Sequence, residues 1–261
     1  MSVQYLESLA SKLVLSADER AGIATSISTL ATRLNSNFGT QLKNHYQFGS
    51  YTRGTILPRK VDSDSDIDYI VIFENPYRYK PDTFLNYLKA FVGKYYNRSE
   101  VYRDSPTMVL DLRHIKFELV PAQIDMWGTI NIPSPTSSYS DWMETDPKGF
   151  NEKLTRVNTQ SGSKIKPLVR LLKYWNKLNG DYYSSFLLEN WIADVNGYYK
   201  SNLKEYLFNT FDNLSYNYNV PQYVKNNIDR AKRIVSNVRH YDMYGQNYNA
   251  LTELKKLLPD I

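Results

Sequence analysis

Asp66 and Asp68 stand two residues apart at the head of an apolar run that extends to Phe73. If that run is a strand, residues two apart share a face, and the two carboxylates lie side by side. Carboxylates so placed repel, and each alone is costly to bury; a divalent cation removes that penalty. A turn-and-cap pair is the plain alternative. Upstream, Gly49-Ser50 follows a short apolar run and precedes a polar turn, where backbone amides can wrap a phosphate. Downstream, Glu118 sits between Phe117 and Leu119. An acid between two apolar neighbours on a strand faces either solvent or a site. Phosphoryl-transfer sites hold two divalent ions about 3.5–4 Å apart, usually on three carboxylates. The three acids and the Gly-Ser turn together point to that chemistry.

The elements that must position these residues follow from periodicity and caps. Residues 1–15 read as a short amphipathic helix. Ser16 and Glu19 form a capping box that opens a longer helix to about Asn37, with Ile23, Ile27, Leu30 and Leu34 on its buried face. Gly39 ends it. A short strand is expected near 46–48, a turn of helix over 50–54, and a central strand over 67–73, rich in β-branched and aromatic residues. A helix from Pro81 places Phe84, Leu88, Phe91 and Tyr95 on one face. Strands over 107–112 and 115–120 read as a hairpin with a tight connection at 111–114, closed by Pro121. A loop rich in Pro, Ser and Thr covers 132–140. From Ser163 the pattern is helical: 164–178 with Pro167 in its first turn, then 185–195, 203–211, 221–244 and 248–258. Two domains are expected, 1–160 and 161–261.

Composition sets the broad class. The 261 residues are 42% hydrophobic and 23% charged, as in a soluble globular protein. There is no cysteine, which excludes disulfides and thiolate metal sites and fits a reducing cytoplasm. Glu7 and Lys12 interrupt the N-terminal apolar stretch, and the apolar runs are strand-length, short of the roughly 20 residues of a membrane span. Neither a leader nor a membrane anchor is expected. A net charge of +5 mildly favours polyanionic ligands. The three histidines, His45, His114 and His240, show no metal-ligand spacing. Lys164, Lys166, Arg170, Lys173 and Lys177 give one helix a basic character that suits nucleotides, nucleic acid or plain solvation.

The wording of these motifs is similar to a known family. Gly49-Ser50, Asp66-Ile67-Asp68 and Phe117-Glu118-Leu119-Val120-Pro121-Ala122 resemble the polymerase-β nucleotidyltransferase superfamily. Within it they resemble the CD-NTases (SMODS-type, related to oligoadenylate and cyclic GMP-AMP synthases) of bacterial CBASS antiphage defence. Leu172-Lys173-Tyr174-Trp175-Asn176 and Ser184-Ser185-Phe186-Leu187-Leu188-Glu189 resemble that group's helical domain. The resemblance covers roughly residues 45–195. It implies an α+β fold: a polymerase-β-like mixed β-sheet with flanking helices, and an α-helical domain forming the other wall of a nucleotide cleft.

It also implies roles. Asp66, Asp68 and Glu118 would be catalytic and would hold two ions, Mg2+ or Mn2+. Ser50 and the amides near Gly49 would hold the terminal phosphates of an NTP. Lys173 would contact the triphosphate, unless it is a solvated helix lysine. Ser185 would be a second phosphate or sugar contact, unless it is simply a cap. Arg53 and Thr55 would touch phosphate or be structural. The implied partners are NTPs, ATP among them, and a regulatory protein; a nucleic-acid activator stays open. The zinc-ligand cluster of the animal DNA sensor is missing from the sequence. A cytoplasmic monomer is expected. This sequence departs from the family pattern in three ways: the 57–65 loop is longer, the third acid is Glu where many relatives have Asp, and the chain is compact.

Three functions compete. The first joins NTPs into a cyclic di- or oligonucleotide messenger. The second transfers a nucleotide to an RNA or tRNA 3′ end or a protein hydroxyl, as in toxin–antitoxin systems. The third binds nucleotide without turnover.

Overall fold

The structure, a computed structural model, describes residues 1–97, 99–104, 107–134 and 141–261. In chain order the helices and strands are α1 (Ser2–Lys12), α2 (Ala17–Phe38), β1 (Leu42–Gln47), α3 (Gly49–Arg53), β2 (Asp66–Phe73), α4 (Pro81–Tyr95), β3 (Glu100–Asp104), β4 (Thr107–Asp111) and β5 (Lys116–Ile124). They continue with β6 (Ile130–Pro133), β7 (Trp142–Thr145), α5 (Pro147–Gln160), α6 (Ile165–Leu178), α7 (Ser185–Val195), α8 (Leu203–Asn213), α9 (Gln222–Met243) and α10 (Asn247–Leu257). These elements form two compact units that interleave along the chain. One contains Leu15–Thr52 and Ser63–Gly149; the other contains Met1–Val14, Arg53–Asp62 and Phe150–Ile261.

The first unit is a mixed sheet with helices. Its strand order is β1-β2-β5-β4-β3, with β6 paired to β5 and β7 to β6. β2 and β5 run parallel, Asp68 opposite Glu118, and the other pairings are antiparallel. Alternation divides β2 cleanly. Ile67, Tyr69, Val71 and Phe73 turn to one face, where Phe73 packs edge-on to Phe38 of α2 and stacks on Phe84 of α4. Ile70 and Ile72 turn to the other face and cluster with Ala122, Tyr46, Phe48 and Ile130. The Ser16 capping box of α2 forms as expected, both bonds present.

Several boundaries move for physical reasons. β1 begins at Leu42, four residues ahead of the expected strand, because an edge strand pairs on one side only and its exposed Lys43 and Asn44 hide the period. The hairpin of β4 and β5 is present, turned by Arg113 at φ 67. β5 does not stop at Pro121: it continues to Ile124, since the β4 ladder ends at Leu119 and a residue lacking N–H disrupts nothing there. β3, β6 and β7 carried no clear period; α5 was not expected, although Phe150, Leu154 and Val157 recur at helical spacing behind Asp146, which caps the Gly149 amide. Of the expected 132–140 loop, Ile132 and Pro133 belong to β6, and 135–140 lie outside the described residues.

The second unit is helical around a single large core. Leu168, Leu171, Leu172 and Trp175 of α6 pack with Leu6 and Leu9 of α1, Leu13 just after it, Phe211 of α8 and Val235 of α9. Leu57 enters the same cluster. The predicted helices from α6 onward are all present, within two residues at each end.

Candidate active site

Asp66 and Asp68 are half-buried on one face of β2, with fully buried Ile67 between them on the other. Glu118 occupies the register position beside Asp68 on the parallel neighbour β5, so the three acids share one face. That face is opposite the one on which Phe73 meets Phe38 and Phe84. Lys116 lies beside Asp66, Nζ to Oδ2 at 4.0 Å, and partly offsets the charge. Burial, reinforced by Asp66 and Asp68, pushes the Glu118 carboxyl up to about 8, and Glu118 and Asp66 share a hydrogen bond. Like-charged carboxylates resolve their repulsion in this way, one of them keeping its proton.

As they stand, no group of three or more histidine or acidic side chains among the described residues is drawn together to hold a metal ion. The donor set nonetheless has the chemistry a hard divalent cation takes: carboxylate oxygens, adjacent on two strands, with one carboxyl pushed toward protonation by burial and by its neighbouring carboxylates.

The Gly-Ser turn abuts this cluster. The Phe48 amide donates to the Asp68 carbonyl at 2.9 Å and carries the chain into α3. Gly49 has φ 73, and a Cβ there would stand 1.7 Å from Asp68 Oδ2. Only glycine permits this approach. Ser50, half-buried, is the second residue of the short helix, which begins at Gly49, one residue ahead of the expected turn over 50–54. In this unit His45 bonds Tyr69 Oη at 2.8 Å and His114 bonds Ser26 at 2.9 Å; His240 is exposed on α9 of the helical unit.

The remaining candidates, Arg53, Lys173 and Ser185, belong to the helical unit, where Arg53 and Lys173 converge on a residue the sequence reading did not single out. Glu189 of α7 has no exposed surface. It accepts from Arg53 Nε at 2.8 Å and from Lys173 Nζ at 3.2 Å. Lys173 also donates to the carbonyl of Thr55, itself fully buried, at 3.3 Å. Arg53 further bonds Asn151 and lies over the Phe150 ring at 4.8 Å. The signal that could have found Glu189 is an acid within the apolar sequence Phe186-Leu187-Leu188 of a helix whose neighbour is basic. Ser185 is exposed at the start of α7, and the N-cap is Ser184, without a side-chain cap bond.

Three cations of the basic helix α6 are engaged by the protein itself. Arg170, Lys173 and Lys177, spaced i, i+3 and i+7, reach the chain's own segment: Gly54 O at 2.8 Å, Thr55 O at 3.3 Å and Asp62 Oδ1 at 2.9 Å. Hydrogen bonds and charge from Asp181 and Asp62 outweigh the burial of Lys177 and hold its ammonium well above the ordinary lysine range. The 57–65 loop is thus held in place up to Asp62, and Leu57 is in the helical core.

A mixed sheet bearing carboxylates on a parallel strand pair, followed by a helical unit, is the polymerase-β-like nucleotidyltransferase fold with its helical domain. Solved structures agree. The Escherichia coli MS115-1 CdnC of a CdnC:HORMA-deltaN complex superposes with a TM-score of 0.75 over 98% of this chain and 96% of that one, at 17% identity. The Vibrio cholerae dinucleotide cyclase DncV, in complex with GTP and 5MTHFGLU2, gives 0.77 over 95% and 92%, at 12% identity. The chain belongs to the Second Messenger Oligonucleotide or Dinucleotide Synthetase (SMODS) family, whose profile matches residues 1–158. It is 27% identical over 191 residues to a Bacillus cereus (strain VD146) protein named "Probable cyclic nucleotide synthase", covering 63% of this chain and 57% of that one. It is 24% identical over 182 residues to the cyclic AMP-AMP-AMP synthase of an Acinetobacter species (strain ATCC 27244 / 9458), covering 67% and 52%. The matches therefore span little more than half the length of these curated relatives.

Proposed function

We propose that this chain is a metal-dependent nucleotidyltransferase that joins NTPs into a cyclic di- or oligonucleotide messenger for antiphage signalling. The observation that carries the reading is the carboxylate face: Asp66, Asp68 and Glu118 at adjacent positions of two parallel strands, with Gly49 pressed against Asp68. Family membership and the names of the two curated relatives support it.

Asp66 and Asp68 would hold two divalent ions, Mg2+ or Mn2+, with Glu118 completing the set. When bound, such ions lower the pKa of an acceptor hydroxyl and neutralise charge on the triphosphate and the departing pyrophosphate. The chain's own groups do the rest. Ser50 and the amides of α3 bind phosphate oxygens. Arg53, Lys173 and Ser185 are assigned to the nucleotide as well. Glu189 sets the side-chain positions of Arg53 and Lys173. In the transfer, a new bond forms between the acceptor oxygen and the α-phosphorus, and the bond to the β-phosphate oxygen breaks. A cytoplasmic location, a monomeric state and a regulatory partner protein are part of the same proposal. Among the described residues no helix is long and apolar enough to cross a membrane.

The test is mass spectrometry of the products formed from all four NTPs with Mg2+ or Mn2+, before and after phosphatase. A phosphatase-resistant small product that disappears in Asp68→Asn is expected. Label transferred to RNA, tRNA or protein instead would assign the chemistry to a macromolecular acceptor. Metal-dependent NTP binding without any product would make the chain a binding relative.

A further inference from the structure

A cavity of about 280 Å3 lies within the helical unit among α1, the turn before α6, and α6 itself. None of the residues assigned to the nucleotide lines it. Arg170 does, and its burial is unusual: it is 9% exposed, yet among the described residues it has no carboxylate partner. Its hydrogen bonds are to two carbonyls, Nε to Ala10 O at 3.3 Å and Nη1 to Gly54 O at 2.8 Å. Ala10 lies near the C-terminal end of α1, where the helix dipole supplies partial negative charge. That accounts for some of the guanidinium's charge. A guanidinium stays ionised and has five N–H donors, so three remain, and a buried charge without a counter-ion is costly. Burial pulls Arg170 down to about 10.

The other lining groups extend the pattern. Among the described residues the ammonium of Lys164, half-buried, meets only the carbonyl of Gly162, at 3.4 Å. The hydroxyl-bearing residues Ser11 and Ser163 line the same space. Glu7 is the single acid, exposed, and the lining as a whole is left with one net positive charge. The volume is just under the roughly 300–1,000 Å3 of sites for drug-sized ligands, which points to a small solute. The Ser11 hydroxyl already donates to the Glu7 carbonyl at 2.9 Å, but three guanidinium N–H groups, an ammonium and the Ser163 hydroxyl still exceed what the two oxygens of a carboxylate can engage, and suit a tetrahedral oxyanion.

We propose that this cavity is an anion site that takes a phosphate group, as inorganic phosphate or as a small phosphomonoester, on Arg170 and Lys164. Its occupant would bear on the segment Arg53–Asp62, because Arg170 also holds Gly54 O. The binding is independent of the proposed function; only that regulatory consequence rests on it.

The experiment is a heteronuclear NMR titration with inorganic phosphate, in EDTA and at ionic strength matched with chloride. The expected result is a saturable shift of the Gly162, Ser163 and Ala10 amides. Lys164→Ala should weaken binding by about five-fold or more, as loss of one charge-assisted contact does. Arg170→Lys, which keeps the charge and loses the fork, should weaken it as well, and Ser50→Ala should leave it unchanged. Running the same titration with glycerol 3-phosphate distinguishes the phosphomonoester from the free ion. Absence of saturable shifts at these amides with both probes, or full affinity in Lys164→Ala, overturns the site. Loss of affinity in Ser50→Ala with Lys164→Ala unaffected overturns it too, by placing the phosphate at the Gly-Ser turn.

Discussion

Glu118 concentrates the electrostatics of the carboxylate face in one titration. Its folded-state pKa, about 8, stands above the ordinary 4.5, so the folded chain keeps a proton that the unfolded chain has released. Stability therefore falls as pH rises from the ordinary value through about 8. Without metal, wild-type protein should lose melting temperature across that window, and Glu118→Gln should lose less. Adding Mg2+ at the upper end should raise the melting temperature of wild type and do little for Glu118→Gln. Scanning calorimetry against pH checks both; equal Mg2+ responses would remove Glu118 from the metal set. Gly49 offers a second test at this scale. Gly49→Ala places a methyl group 1.7 Å from Asp68 Oδ2 at a positive φ, so either Asp68 or the turn must move. The expected outcome is a loss of about 1–3 kcal/mol in stability, read by denaturant unfolding, together with lost NTP turnover. The shared face of Asp66 and Asp68 was legible from their spacing, because strand alternation is local. Glu118's depth of burial was not, because it depends on neighbouring strands β2 and β4.

Among the elements, α6 and α7 show how a basic helix can be deceptive in sequence. The lysine-arginine stripe suited nucleotide, nucleic acid or water, yet three of its cations hold Gly54, Thr55 and Asp62. Glu189 is the other half of that arrangement, a buried carboxylate between two cations. Glu189→Gln should cost about 3–5 kcal/mol, since it strands buried charge. If Glu189 also positions Lys173 for a triphosphate, the folded variant should show a larger rise in KM for NTP than fall in kcat, with partial recovery in Glu189→Asp. A melting temperature drop with unchanged KM would make its role structural only. Ser185→Ala, at an exposed site without a cap bond, should stay within about 0.5 kcal/mol of wild type while raising KM. Helix boundaries themselves were well foretold wherever a cap or a strong 3.6 period existed. Elements without either signal, β3, β6 and β7, were not; α5 is the exception, carrying the Phe150, Leu154, Val157 spacing and the Asp146 cap and yet missed.

The whole molecule is two units built from an interleaved chain. The helical unit takes Leu6, Leu9 and Leu13 from the N-terminus and Leu57 from the segment between α3 and β2. A fragment of residues 161–261 lacks all four, as well as Leu154 and Val157 of α5, and should not fold cooperatively alone. Circular dichroism melting of that fragment, alone and with a peptide of residues 1–14, would show it; a sharp transition without the peptide would contradict it.

The sequence by itself determined the period of each strong element, the face shared by Asp66 and Asp68, and the resemblance to a nucleotidyltransferase family. All of these are carried by spacing along a few consecutive residues. Only the tertiary structure decided that Glu118 sits in register beside Asp68, that Arg53 and Lys173 meet on Glu189, and that 53–62 is bound by α6. Those pairings join residues far apart in the chain. They depend on which strands become neighbours and which charges are buried together, and local sequence pattern carries no record of either.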